Sequence, residues 1–470
     1  MVVGDVVYEA DVLVLGGGPG GYTAAIRAAD LGKSVILVES VPTLGGVCLA
    51  EGCIPSKTLI HAVEMVEDIK DASAMGIVNQ GIKVDHKALK GHIQTLVQEL
   101  SLGISNLLEN REIEVIHGHG RFIDKKSLYV DGANAMVHFQ NAVIATGSRM
   151  NGFPEGWDSS IWDSSTALSL PEVPDSLLII GGGYIGLEIG QAYAGLGSQV
   201  TLVELSSRML AEADPDLVAV VLKKCRSQFE AIHTESRVEA IGAEDGGFKV
   251  NIQTPKGQIQ HHFSRVMAAV GRRPNTDNLG LDILGISVDE NGRIPTDDTC
   301  RTFNPDVFAI GDVTRGPALA HKAAREGKVA AEVICGHPSA FDNVTVPAIL
   351  FTSPQIAWTG ITETHAKLQN LAVNVGKFPL VALGRAKACG KTQGFVKIIA
   401  DRDQNRILGM GIVGSHASEL IAEGTLAVEM GACLEDLLVS IHPHPTFSES
   451  IMEAAEMAAT GSVHLFKRSK

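Results

Sequence analysis

Two cysteines five residues apart, Cys48 and Cys53, stand between the glycine pair Gly45-Gly46 and the tripeptide Pro55-Ser56-Lys57. Residues five apart in a regular helix have Cα atoms roughly 8.7 Å from each other, whereas a disulfide needs about 4.4–6.8 Å. If the pair bridges, the backbone between must bend, and Gly52 is the residue that permits it. A strained short bridge is easily reduced, which suits electron transfer better than stapling. Two ordinary buried thiols are the plainer reading. A zinc half-site with His61 is a third, although zinc usually wants closer spacing and a second Cys/His pair. Other chemistry is possible near the far end, in His442-Pro443-His444-Pro445-Thr446-Phe447-Ser448-Glu449. The two prolines fix the backbone around His444 and deny it regular structure. Glu449, at the expected start of a helix, could hold the other imidazole nitrogen and make an acid/base pair. A surface loop with satisfied histidines is the plainer alternative.

The elements that must position these groups are more legible. Asp11–Leu15 reads as a buried strand by its apolar run, and it leads into Gly16-Gly17-Gly18-Pro19-Gly20-Gly21, which is G-x-G-x-x-G at Gly16, Gly18 and Gly21. Tyr22 to Leu31 has helical spacing, and Ser34 to Glu39 is a second strand ending in an acid. Glycines there let backbone N–H groups and a helix N-terminus approach a pyrophosphate, while Glu39 can hold ribose hydroxyls. The same order recurs 165 residues later: strand Leu177–Ile180, then Gly181, Gly183 and Gly186, then Gln199 to Glu204. That interval is far beyond a solenoid repeat, so it marks a second whole domain. Glu204 would repel a 2′-phosphate, which selects NAD over NADP; Arg208, four residues on, is the one nearby feature against that choice.

Helical spacing covers about 55–75 and 85–110, and Gly118–Phe122 and Asn141–Gly147 read as strands returning to the first domain. A proline-containing linker is expected near 149–176. Asp312, just past the apolar run Val307–Ile310, lies where sheet proteins put ligand contacts. From about Pro347 the pattern becomes α+β, with strands at Phe395–Ile399 and Ile407–Val413 and a helix over Ser418–Met430.

A length of 470 residues suits three or four domains. With 50 glycines and 45% apolar residues the chain suits an α/β protein with many tight strand–helix turns. Its net charge of −15 argues against nucleic acid or an anionic membrane as partner. Of the seven cysteines (Cys48, Cys53, Cys225, Cys300, Cys335, Cys389, Cys433) only the first two are neighbours, so this is no secreted disulfide framework. The N-terminus lacks a basic targeting region, and no apolar run approaches the 18 or so residues that span a bilayer. The expected location is the cytoplasm.

Together, Gly16–Gly21, Gly46–Lys57, Ala145–Gly147, Gly181–Gly186, Gly271–Asn275, Phe308–Val313 and His442–Glu449 resemble the FAD-dependent pyridine nucleotide-disulfide reductases, in that family's order and over essentially the whole chain. The resemblance implies an α/β architecture of two Rossmann-like dinucleotide-binding domains plus a C-terminal α+β dimerisation domain. The expected divisions are 1–149 for FAD with the cysteine helix, 150–276 for NAD, 277–346 completing the FAD site and 347–470 at the dimer interface. It implies that Gly16, Gly18, Gly21, Glu39, Lys57, Gly120, Asp312 and Ala320 hold FAD. Gly181, Gly183, Gly186, Glu188, Glu204, Val238 and Gly271 would take NAD, with Glu188 close to Lys57. Cys48 and Cys53 would be the redox disulfide, and His444 with Glu449 the acid/base dyad, supplied across a homodimer interface. Within the family the pattern is most similar to the branch that oxidises dihydrolipoamide carried on an acyltransferase or a glycine-cleavage H-type protein. An NADH-dependent reductase of another low-mass disulfide, and a non-catalytic flavoprotein subunit of an assembly, are the alternatives. Two departures stand out: Leu-Ala-Glu-Gly lies between the cysteines where many relatives have Leu-Asn-x-Gly, and His-Pro-His-Pro replaces His-Ala-His-Pro. Glu51 thereby puts a negative charge beside the thiols, which could alter their reactivity.

Overall fold

The computed structural model describes residues 6–78, 81–154, 157 and 160–465. Its first sheet grows from the apolar run around Val12–Leu15. Strands β1 (Val6–Leu15), β2 (Val35–Glu39), β3 (Glu114–His117), β4 (His119–Asp124), β5 (Ser127–Asp131) and β6 (Ala135–Ile144) lie in the order β3-β2-β1-β6-β5-β4. The four strands β3, β2, β1 and β6 are parallel and β5 and β4 return antiparallel. The expected strand at 118–122 is β4, which turns away from β3 at Gly118, whose φ of +156° a side chain rarely adopts. Helix α1 (Pro19–Asp30) lays Ala24, Ala25 and Ala28 on the sheet. Then follow α2 (Gly46–Glu51), α3 (Cys53–Asp71) and α4 (His86–Glu109), the last capped by Asp85, whose carboxylate accepts from Ala88 N–H.

The chain enters the second unit on β7 (Ser148–Met150). The stretch read as a linker is built in: Trp162 bridges to Met267, and α5 (Ser164–Leu168) starts at an Asp163 cap. Burial of Trp162 and Leu168 explains this, because each removes apolar surface worth about 1.5–3 kcal/mol. Strands β8 (Ser176–Ile180), β9 (Gln199–Val203) and β10 (Ala231–His233) form a parallel sheet with α6 (Tyr184–Leu196) and α7 (Pro215–Gln228) as its helices. An antiparallel meander of β11 (Arg237–Glu244), β12 (Gly247–Thr254) and β13 (Gly257–Phe263) leads to β14 (Arg265–Ala268), which completes the order β10-β9-β8-β14. The exit strand β15 (Arg272–Pro274) pairs antiparallel with β7, so entry and exit form one ribbon.

The segment expected as a central domain does not build a separate sheet among the described residues. Its β16 (Val307–Ala309) pairs in parallel with β6, and α8 (Ala320–Ile334) packs against α1. The C-terminal unit is an antiparallel sheet in the order β17 (Ala348–Leu350), β18 (Gln355–Gly360), β21 (Ile407–Gly414), β20 (Phe395–Asp401), β19 (Val373–Pro379). Its helices are α9 (Glu363–Leu368), α10 (Gly384–Ala388), α11 (Ala417–Glu429), α12 (Leu434–Val439) and α13 (Glu449–Ala459). One continuous core joins the parts: Leu59 of α3, Leu177 and Ile179 of β8, Leu350, Ile356 and Val413 belong to a single buried cluster. No described helix is long and apolar enough to cross a membrane.

Candidate active site

Both glycine loops follow the same physical plan. Glu39 Oε2 accepts from Gly17 N–H at 2.7 Å, and Glu204 Oε2 accepts from Gly182 N–H at 2.7 Å. Their second oxygens accept from Val41 N–H (3.1 Å) and Ser206 N–H (2.7 Å). The acids therefore brace the loops themselves, a task that sequence reasoning, which aimed them at ribose, did not foresee. A Cβ on Gly21 or Gly186 would overlap the carbonyl oxygen of Gly16 or Gly181 respectively. At the N-caps, Gly18 and Gly183, no side chain caps the helix, and a Cβ on Gly183 would meet nothing within 4 Å. Free N–H groups facing open space at a helix N-terminus are a cradle for a pyrophosphate, and the residues present fit FAD in the first site and NAD in the second. A cavity of about 900 Å³ opens at the second loop, lined by Gly181, Gly183, Glu204, Arg237, Val238 and Gly271 among others. Arg208 points elsewhere, donating to the Ala213 carbonyl at 3.3 Å.

The cysteines sit where the helix breaks. Helix α2 ends at Glu51, Gly52 takes φ −135° and ψ −106°, and α3 starts at Cys53. A Cβ on Gly52 would approach the Val47 carbonyl oxygen to 2.9 Å, so the bend needs glycine. It brings Cys48 Sγ and Cys53 Sγ to 2.6 Å, closer than two separate thiols stand and within reach of a disulfide. In the reduced pair the hydrogen bond donated by Cys48, helped by the Lys57 charge and opposed by burial, lowers the Cys53 thiol from its ordinary 9.0 to about 7. Cys48 is pushed up, first by the same hydrogen bond and then by burial. In the dithiol state the thiolate thus belongs to Cys53. Glu51 is turned away: its carboxylate accepts from Ser165 Oγ at 2.9 Å, and the side-chain charges acting on Cys53 come from Lys57 and Glu188. Among the described residues no cluster of three or more His, Cys, Asp or Glu groups is arranged to hold a metal.

Lys57, one turn into α3, pairs with Glu188 of α6 at 2.9 Å and lies 4.6 Å from the centre of the Phe351 ring. Glu188 also accepts from Phe351 N–H at 2.8 Å, so one buried carboxylate ties together the first, second and C-terminal units. Tyr184, inside the second glycine loop, lies within electrostatic reach of Arg272, Glu188, Asp312 and Cys53. Sequence reading passed it over; an aromatic ring among loop glycines was the available signal. Asp312 sits on the short turn Gly311–Val313 and accepts from Ser148 Oγ at 2.6 Å. Ala320 opens α8 nearby in sequence, and Gly120 lies on β4 with its bare side against Leu15 and Leu128, so only its backbone is available to a ligand.

The structure brings the two residues of the expected dyad into contact: His444 Nδ1 and Glu449 Oε1 are 2.7 Å apart, and Glu449 Oε2 accepts from Thr446 N–H at 2.8 Å. Burial raises the Glu449 carboxyl, but these hydrogen bonds outweigh it and hold the group below its ordinary value. His442 has an anchoring place, its Nε2 2.8 Å from Glu423 Oε1, and buried Phe447 packs on the His416 ring at 4.9 Å. The pinned loop leaves the His444 side chain 78% exposed in the single chain.

Two dinucleotide cradles, a vicinal thiol pair between them and an exposed imidazole braced by a carboxylate in the C-terminal unit define a flavin- and nicotinamide-linked disulfide oxidoreductase. The chain belongs to the family described as pyridine nucleotide-disulphide oxidoreductase, which matches residues 10–327, with that family's dimerisation domain over 346–455. It is an enzyme using FAD and NAD. It is similar to the dihydrolipoyl dehydrogenase of Geobacillus stearothermophilus, 42% identical over 100% of both chains. That of Bacillus subtilis is 41% identical, over 99% of this chain and 100% of the relative. Among solved structures, LpdA of Mycobacterium tuberculosis superposes with a TM-score of 0.88 at 27% identity, covering 96% of this chain and 99% of that one. The HOCl-induced flavoprotein disulfide reductase RclA of Escherichia coli gives 0.85 at 28% identity, over 95% and 99%.

Proposed function

We propose that this enzyme oxidises protein-bound dihydrolipoyl groups to lipoyl groups and delivers the electrons to NAD+. The observation that carries the reading is the cysteine pair, brought to 2.6 Å by the bend at Gly52 and set beside the Lys57 cation, in a chain alike over its whole length to named dihydrolipoyl dehydrogenases. We assign FAD to Gly16, Gly18, Gly21, Glu39, Lys57, Gly120, Asp312 and Ala320, and NAD to Gly181, Gly183, Gly186, Glu188, Glu204, Val238 and Gly271. Bound FAD supplies a two-electron relay between the thiols and the nicotinamide.

The chain's own groups act as follows. In the oxidised enzyme, a substrate thiolate attacks the Cys48 sulfur of the disulfide and Cys53 leaves as thiolate. The second substrate thiolate then displaces Cys48, so the lipoyl disulfide forms as the enzyme's is reduced. His444 of the opposite subunit takes the substrate thiol proton at Nε2, while Glu449 holds Nδ1 and fixes the ring. Lys57 stabilises the Cys53 thiolate, and Glu188 keeps the ammonium in place. The partner is a lipoyl-bearing acyltransferase or a glycine-cleavage H-type protein, and the working unit a homodimer. We read the location as the cytoplasm, where cysteines such as Cys225 and Cys300 persist as thiols.

Turnover of free dihydrolipoamide with NAD+, set against NADP+ and against NADH with other low-mass disulfides, tests this. Faster use of another disulfide, or a preference for NADP+, would sink it.

A further inference from the structure

Asp312 is oriented from an unexpected side. The Ser148 hydroxyl that donates to Asp312 Oδ2 at 2.6 Å also receives Arg272 Nε at 2.9 Å, and Arg272 Nη2 donates to the Ser148 carbonyl at 2.6 Å. An arginine has only donors and a serine hydroxyl only one proton. Arg272 therefore fixes the direction of the second bond: the hydroxyl must accept from the guanidinium and turn its proton on Asp312. Ser148 is buried, and the two residues stand on β7 and β15, the strands of the ribbon between the nucleotide-binding units. Gly271, immediately before Arg272, lines the cavity at the second glycine loop. From behind, the backbone of the same turn is fastened by a buried ion pair. Glu326 Oε2 accepts from Gly311 N–H at 2.7 Å, and Glu326 Oε1 is 2.8 Å from Lys322 Nζ.

We infer that Ser148 and Arg272 are positioning residues for the flavin site, setting the Asp312 carboxylate from the edge of the nicotinamide-binding unit. The inference rests on the reading that Asp312 faces FAD. A purely mechanical part in the ribbon is the competing explanation, and the ribbon contains its own control. Arg149, also on β7, bonds Asn275 at 2.7 Å and pairs with Asp277.

The experiment follows FAD release from the purified full-length protein on dilution, by the rise of free-flavin fluorescence, with circular dichroism to check folding. Ser148→Ala and Arg272→Met should each speed release about tenfold, the scale of one hydrogen bond to a charged group. The double variant should be no worse than either single one, because the two act through one bond. Ser148→Thr, which keeps the hydroxyl, should retain FAD, and Arg149→Met should stay within about twofold of the unsubstituted protein. Folded Ser148→Ala and Arg272→Met proteins that hold FAD as tightly as the parent would overturn the inference. So would an equal loss in Arg149→Met, which would assign the effect to the ribbon. An unsubstituted protein purified without flavin absorbance would instead remove the underlying FAD reading.

Discussion

Replacing Cys48 by alanine should take the thiolate away from Cys53 at neutral pH, while replacing it by serine should largely preserve it. The Cys53 thiol is lowered from 9.0 to about 7, and its largest cause is the hydrogen bond donated by Cys48. Lys57 adds to the shift, and burial and Glu188 oppose it. Without the donor, burial and Glu188 are set against Lys57 and a backbone hydrogen bond, and the thiol returns toward the ordinary range of about 8.5 to 9. At pH 7 the ionised fraction would then fall from about half to a few per cent or less, a loss of about 15- to 50-fold. The sign follows: a lowered thiol is ionised above about pH 7, and the alanine variant postpones that rise by up to about two units. A serine hydroxyl can still donate, so Cys48→Ser should titrate near the native dithiol. The assay is the rate of alkylation of Cys53 against pH, measured on reduced protein with the labelled residue identified by peptide mapping. An alanine variant that still titrates near 7 would mean that Lys57 and not the neighbouring thiol sets the value.

The dyad should show as selective loss: His444→Gln should lower dihydrolipoamide turnover by about 10²–10⁴-fold while leaving NADH-driven reduction of an artificial acceptor intact, and equal loss of both would mean damaged folding or flavin binding. Mixing inactive Cys53→Ser and His444→Gln chains should restore activity on reassociation, up to about one good site per heterodimer; silence from verified heterodimers would locate the site within one chain. The junction of the second and C-terminal units offers a stability test, because Lys397 has no exposed surface and donates to Asp214 at 2.6 Å and Asp216 at 2.8 Å. Asp214→Ala leaves Lys397 its Asp216 partner but removes the acceptor of the Glu363 and Thr364 N–H groups, and should destabilise by about 1–3 kcal/mol in urea unfolding at pH 7. Burial raises the Asp214 carboxyl, but hydrogen bonds from Lys397 and Thr364 outweigh it and hold the group at about 2. Its contribution is therefore full above the ordinary carboxylate range and is lost as pH falls toward 2, and the gap between parent and variant should narrow there.

What could be read from the sequence was what depends on neighbours in the chain. The strand–glycine–helix–strand–acid order, the bend needed at Gly52 and the helix start at Glu449 are each set within a few tens of residues. What escaped was set by partners far apart. Ser148 and Asp312 are 164 residues apart and Gln191 binds Ser353 across 162, through short polar groups that leave no periodicity. The charge on Glu51 was visible but its direction was not, because that depends on where α5 places Ser165. Nor could spacing show that Val307–Ala309 rejoins the first sheet, since three apolar residues suit any strand.

That rejoining strand has a consequence for how the protein is made. The edge of β6 taken by β16, and the face of α1 covered by α8, receive their partners only after residue 306 has been synthesised. Domains ordinarily fold from the N-terminus as the ribosome delivers them. Here the first nucleotide site, though encoded first, must wait on the ribosome with an open sheet edge and an uncovered helix until the whole second unit has emerged. The inserted unit, whose entry and exit strands pair as a ribbon, emerges before its host can be completed, so the flavin site is finished late and protection of the nascent chain matters most over that interval.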